Sequence, residues 1–403
     1  MKKILLSIVA VGLAGSLAFA AKKQPLKVLY VGGMTDMYYR ADLENKDALV
    51  KERTEAFKGM LEKYFTTVTA INGSEYNTDM SKEYDVTILD GRPKALKPSN
   101  IVKDDDGNVI KYERAVYLPN DYDCATVTIG QIGEDVGRAY GSKNDWYCLC
   151  LDAQAHSWKK DHPIFKGPFK VKMTVETCPT PSDAYHYAYY HDGPMPETLP
   201  MWRVQTKGYK TDEGFGIGMV SRPWGYTDSP DAEYISSGVC AKTLDAVAIG
   251  RHGNFLHWGF NASPLYMTDE AKDVFANAVV HISKFKGKKP IARKFNDRIA
   301  TREYLKEIGY LVTKASYDER MKSDREWAEQ SKAEYKAMMA KKERGEKLSA
   351  KEQELMKYGE PEDFKPTPYE NYVKRYAKNF FPMFGTDEKA YACLLYTSDA
   401  ADD

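Results

Sequence analysis

KVLYVGG, from Lys27 to Gly33, decides the fold. Val28, Leu29, Tyr30 and Val31 are consecutive and apolar, so a strand here must be covered on both faces, and the pair Gly32-Gly33 ends it. Reading outward, a helical stretch begins at about Lys46. Its apolar positions Val50, Phe57, Leu61 and Tyr64 fall on one face at three- and four-residue spacing. Thr67 to Ile71 reads as a second strand. YDVTIL, Tyr84 to Leu89, reads as a third and ends in Asp90-Gly91-Arg92-Pro93. Strand, helix, strand, strand with apolar runs predicts an α/β protein whose parallel sheet is covered on both sides.

Further along, Asp104-Asp105-Asp106-Gly107-Asn108 lies between Ile101-Val102 and Val109-Ile110 and predicts a hairpin turn. It lacks the ligand spacing and closing Glu of a calcium loop. Cys124 to Ile129 is a strand followed by a helix from about Gly133. WYCLCL, Trp146 to Leu151, reads as a buried strand ending at Asp152. From Phe165 to Cys240 the pattern turns to short strands and loops. Ala246–Gly250 and Asn254–Trp258 then read as a hairpin around Arg251-His252-Gly253. A helix follows, with Thr268 as N-cap, Asp269 and Glu270 at its positive end, and one stripe of Ala271, Val274, Phe275, Ala278, Val279 and Ile282. Lys286 to Ala300 is a basic linker, and Thr301 to Tyr358, rich in Glu, Lys, Ala and Met, predicts a helical extension.

The two ends are set aside from the fold. Lys2-Lys3, the apolar run Ile4–Phe19 and the closing Ala18-Phe19-Ala20 have the order of a secretory signal peptide over residues 1–20. The mature chain is therefore expected in the periplasm or outside the cell, with no membrane anchor after cleavage. Cys393 to Asp403, CLLYTSDAADD, back-translates into a sequence resembling a transposase adapter of sequencing libraries. Residues 393–403 are accordingly read as an adapter-derived artefact, and 287–392 as a truncated helical extension.

Lys and Arg number 58, as do Asp and Glu, and no basic run is interleaved with aromatics, so no nucleic-acid partner is expected. The 29 tyrosines suit either packing or a carbohydrate surface. Five cysteines precede the tail: Cys124, Cys148, Cys150, Cys178 and Cys240. That is not a dense disulfide scaffold, and one or two bridges stay open.

KVLYVGG, YDVTILDGRP, the segment Asp161-His162-Pro163-Ile164-Phe165-Lys166-Gly167, and RHGNFLHWGFNASP with its following helix together resemble the trehalose-utilisation (ThuA-like) family. That family belongs to the class I glutamine-amidotransferase-like superfamily. The resemblance spans roughly Lys27 to Gly287, within a domain read as 24–286. It implies a flavodoxin-like three-layer sandwich with a mainly parallel central sheet and a functional rim at the carboxyl ends of the strands. On that rim it gathers Gly32, Gly33 and Asp36, then Asp90 and Arg92, then Asp152 and His156, with His257 and Trp258 near.

The superfamily's Cys nucleophile sits on a Gly-x-Cys-x-Gly elbow. DWYCLCLDAQAH lacks the glycines, so Cys148 and Cys150 read as buried filler. Asp152 and His156, past the end of a strand, could serve as a general base and its orienter, with His257 as a further catalytic residue. Gly33, Asp36, Asp90, Arg92 and Trp258 are the expected substrate-binding set. His162 is expected to cap locally before Pro163, His252 to sit in a turn, and Asp231 and Glu233 to alternate on a solvated face. His186 and His191 lack a third ligand at metal-site spacing, so neither metal nor cofactor is expected. Three functions follow: a carbohydrate-related enzyme, a non-catalytic module holding a glycan or, through its helical extension, a protein partner, and a Cys-dependent hydrolase.

Overall fold

The structure, a computed structural model, describes residues 22–375 except 34–44, 145–148, 186–190, 209–217, 294–308 and isolated positions at 104, 106, 108, 183, 192, 224–225, 227–228, 241–242, 292 and 374. Asp36, Cys148, His186, residues 1–20, read above as a signal peptide, and residues 393–403, read as adapter-derived, therefore lie outside the described residues.

The chain is α/β. The parallel part of its sheet is built from β1 (Gln24–Gly32), β2 (Phe65–Asn72), β3 (Val86–Leu89) and β6 (Thr126–Ile129). β4 (Asn100–Lys103) and β5 (Val109–Glu113) pair antiparallel as the expected separate hairpin. The remaining strands are β7 (Leu149–His156), β8 (Val175–Pro179), β9 (Thr198–Arg203), β10 (Gly218–Met219), β11 (Ala232–Cys240), β12 (Ile249–His252) and β13 (Phe255–Trp258). Among the described residues the large sheet has eleven strands in the order β2-β1-β3-β6-β13-β12-β11-β7-β9-β8, with β10 beside β7.

From β2 to β13 neighbours run parallel; from β13 to β8 they run antiparallel. The sheet is thus mixed rather than mainly parallel. The change occurs at β12–β13, where the chain turns through Gly253 and Asn254. So short a connection admits only an antiparallel partner, whereas a parallel one needs a crossover. Gly253 meets the turn with φ +55°.

Strand alternation divides the core. Val28, Tyr30, Ile88, Val127 and Trp258 face α1 (Lys46–Tyr64) and α3 (Asp269–Ser283), meeting Phe57, Leu61, Val274 and Phe275. Leu29, Val31, Leu89 and Phe255 face the other way, onto Ile132, Val136 and Tyr140 of α2 (Ile132–Tyr140). The Thr268 hydroxyl accepts the Ala271 N–H at 3.2 Å, capping α3 as the sequence predicts. Replacing Thr268 with Ala is expected to lower stability by about 1 kcal/mol, read as a shifted urea midpoint at unchanged slope.

β7 differs from its sequence reading. It starts at Leu149 and runs to His156, so Asp152 and His156 lie inside the strand. The apolar WYCLCL run suggested an earlier stop. The alternation of Asp152, Gln154 and His156 with the buried Leu151, Ala153 and Ala155 is the period-two signal that carries the strand onward.

The extension is helical, with α4 (Lys314–Glu343) and α5 (Ala350–Met356). Thr313 caps α4 through the Ser316 N–H at 3.2 Å. Ser349 and Glu352 cap α5 reciprocally, at 2.8 and 3.3 Å. Ser316 Oγ and Tyr372 Oη lie 2.9 Å apart, and Tyr317 packs edge-on against Tyr369 and Tyr372, folding the later chain onto the start of α4. No described helix is long and apolar enough to cross a membrane.

Candidate functional site

At the carboxyl ends of β1 and β3 the backbone crosses itself closely. A Cβ on Gly91 would stand 2.1 Å from the Gly32 carbonyl, and one on Gly73 would stand 2.4 Å from the Arg92 carbonyl. Gly33, at φ +140°, lies against Gly91. Only glycines allow this approach. Beneath the crossing, Asp90 is fully buried. Arg53 of α1 grips its carboxylate through Nε at 2.6 Å and Nη2 at 2.8 Å, and Tyr30 Oη donates to the same group. Arg53 Nη1 also donates to the Asn261 carbonyl at 2.7 Å, which ties the segment after β13 to the rim. Asp90 is thus saturated by its own fold and is a structural anchor, not a substrate-binding carboxylate. Arg92 points outward, with its side chain 47% exposed, and donates to Asp135 of α2 at 2.7 Å.

The rim therefore gathers Gly32, Gly33, Asp90 and Arg92, but the expected catalytic set does not form. Asp152 and His156 share a face of β7 four residues apart, about 13 Å along an extended strand, beyond hydrogen-bonding reach of each other. The Asp152 carboxylate lies against Gly208, where a Cβ would come within 1.7 Å of Oδ1. His156 is fully buried, with Nδ1 3.0 Å from Ser157 Oγ, and burial pulls its pKa from the usual 6.5 to about 4.

His257 is fully buried on the α2 side. Its Nε2 donates to the Met219 carbonyl at 2.9 Å and its Nδ1 lies 3.3 Å from Thr128 Oγ1, so both nitrogens are engaged. A general base needs a lone pair open to substrate, and this ring has none. Trp258 is 1% exposed and packs edge-on against Phe275 at 5.1 Å, so it belongs to the core and offers no face to a sugar. Cys150 is buried too, with Sγ 3.1 Å from Cys240 Sγ, closed to a substrate carbonyl. His252, expected in a turn, is the last residue of β12 and buried. Its Nδ1 accepts the Lys143 N–H at 3.0 Å.

A second constellation went unread in the sequence. Glu233, at the start of β11, is not on a solvated face. Its Oε2 receives Arg251 Nε at 2.7 Å and His281 Nε2 at 2.8 Å, and His162 Nε2 stands 3.5 Å away. The two imidazoles meet edge-on, with centroids 4.7 Å apart, and the Arg251 guanidinium stacks 3.8 Å from the Phe285 ring centre. Burial alone would raise the Glu233 carboxyl. The contacts from His162, His281 and Arg251 outweigh it and hold the carboxyl well below the usual range.

The ligand atoms of His162, Glu233 and His281 lie within 4.8 Å of one another, the spacing of a two-histidine, one-carboxylate metal site. The hydrogen bonding opposes that use. His162 Nδ1 accepts the Ile164 N–H at 3.4 Å, as the expected local cap, so the neutral ring carries its proton on Nε2, where a metal would need the lone pair. Arg251 adds a positive charge at the same oxygen. The cluster reads as a clamp joining the segment after β7, β11, β12 and the end of α3. His281 escaped notice because it interrupts the apolar stripe of α3 only once.

Comparison with protein-family models, curated proteins and solved structures finds no match to this chain.

Proposed function

We propose that the chain is an exported ThuA-like protein that binds carbohydrate without transforming it, in a groove of its helical extension. On this reading the α/β body is a flavodoxin-like three-layer scaffold. One observation carries the proposal. A cavity of about 750 Å³ between α4, α5 and the following turn is walled by Trp327, Tyr335, Met338 and Tyr358, with Glu334 and Lys341 at its edge. Trp327 is 70% and Tyr358 78% exposed. The volume falls within the range of roughly 300–1,000 Å³ typical of small-ligand sites. Aromatic faces take the C–H side of a sugar ring, while flanking carboxylate, ammonium and hydroxyl groups take its hydroxyls. The catalytic alternative loses support because Asp152, His156 and His257 do not converge, and the Cys-dependent alternative because Cys150 is buried.

The test is a glycan screen on residues 21–392, read by thermal shift and tryptophan fluorescence. At a hundredfold excess over Kd a bound glycan stabilises by about 2.7 kcal/mol and raises the melting temperature measurably. Replacing Trp327 with Ala is expected to weaken binding at least tenfold while leaving the unliganded melting temperature unchanged, since the ring is exposed. A screen in which no glycan moves the melting temperature overturns the reading and leaves the groove to a protein partner.

A further inference from the structure

We propose that Cys150 and Cys240 form a structural disulfide that staples β7 to β11. The two strands are antiparallel neighbours, with Cys240 opposite Leu151, the residue after Cys150. Between the pairs Gly238–Ala155 and Cys240–Leu151 the register shifts, and this irregularity brings the side chain of Cys150 alongside that of Cys240. Their sulfurs stand 3.1 Å apart, about 1 Å more than a bond of ~2.05 Å, so closure needs only a small side-chain rotation. Both residues lie in the main core, 5% and 1% exposed, so the finished bond is shielded from reductants. Cys124 is buried in the other core and Cys178 is half-buried on β8.

The chemistry is thiol–disulfide exchange with an external disulfide, either a low-molecular-weight disulfide or that of an oxidoreductase. One cysteine thiolate attacks the oxidant, forms a mixed disulfide and releases one thiol. The second cysteine, having lost its proton, attacks the protein sulfur of that mixed disulfide and releases the second thiol. The chain gives up two protons and two electrons, and the oxidant's disulfide becomes two thiols. Because both sulfurs end buried, the exchange belongs to the folding chain, before β7 and β11 close over it. The proposal rests on the export reading only for the compartment that supplies the oxidant.

Refolding residues 21–392 in a glutathione redox buffer, alkylating under denaturing conditions and mapping peptides by mass tests it. The expected result is one cross-linked species joining the Cys150 and Cys240 peptides, two hydrogens lighter than the sum of the thiol forms, with Cys124, Cys148 and Cys178 alkylated and fragmentation placing the alkyl group on Cys148 rather than Cys150. Because 90 positions separate the pair, reduction is expected to lower the melting temperature by roughly 5–15 °C. C240A should show no such reductant-dependent shift. Alkylation of both cysteines after oxidative refolding, or a bridge from Cys240 to another partner, overturns the proposal. If the bridge forms in vitro but the full chain is recovered from the cytoplasm of an expressing cell with both thiols free, the export reading fails and the disulfide assignment stands.

Discussion

Between pH 6.5 and pH 4 the protein is expected to lose about 3 kcal/mol of stability through His156 alone. Its imidazole is fully enclosed, and burial pulls the pKa to about 4 in the folded state, while the unfolded chain titrates near 6.5. Within that window the unfolded chain binds the extra proton, so stability rises with pH and is complete above 6.5. A gap of about 2.5 pKa units at 1.36 kcal/mol each gives the magnitude. Glu233 acts in the same direction lower down. Its carboxyl is depressed in the fold, so its contribution is present above the unfolded value near 4.3 and fades as pH falls below it. Urea titrations from pH 7.5 to 4 should show the slope, and His156→Gln, which cannot ionise, should flatten it above pH 4.5 whatever it does at neutrality. An equally steep loss in His156→Gln would rule out His156 as the source.

Asp90→Asn is expected to cost about 3–5 kcal/mol, because it leaves the Arg53 guanidinium, only 11% exposed, facing a neutral amide. Tyr30→Phe removes one hydrogen bond to the carboxylate and should cost about 1–2 kcal/mol. Asp90→Asn combined with Arg53→Met should recover part of the loss, since neither charge is then stranded. Denaturant midpoints of the two single variants and the double variant measure this directly. A loss under 1 kcal/mol for Asp90→Asn would mean that Arg53 finds another partner and the anchor assignment is mistaken.

What the sequence revealed and what it hid divide along physical lines. KVLYV, YDVTIL and the stripe of α3 were legible because burial writes local, periodic patterns. Thr268 was legible because a cap is fixed by its own next three residues. The hairpin β12–β13 was seen, but the antiparallel half beyond it was not, since pairing of β7 with β9 and β11 is set by contacts distant in sequence. The rim residues Gly33, Asp90 and Arg92 were placed correctly at one edge, because strand ends mark that edge. Their roles were not legible: Asp90 is consumed by Arg53, a charged residue of α1 whose partner 37 positions away no helix spacing announces. His257 and Trp258 end a strand, so one of the two is expected to face a pocket; here Met219, on β10, covers the first and Phe275 the second. Glu233, Arg251, His162 and His281 come from four separated segments, and no local spacing announces their meeting.

The position of β13 has a consequence for biosynthesis. Thr128 and His257 are neighbours across the β6–β13 ladder, although 129 positions separate them. Until the later segment leaves the ribosome, β6, with Thr126 and Thr128 alternating with Val127 and Ile129, presents an unpaired edge, the kind that recruits other chains. On the export reading proposed above, that delay would suit translocation, because the domain cannot lock before its last central strand arrives. Overproduction without a holdase chaperone is expected to yield inclusion bodies rather than folded protein.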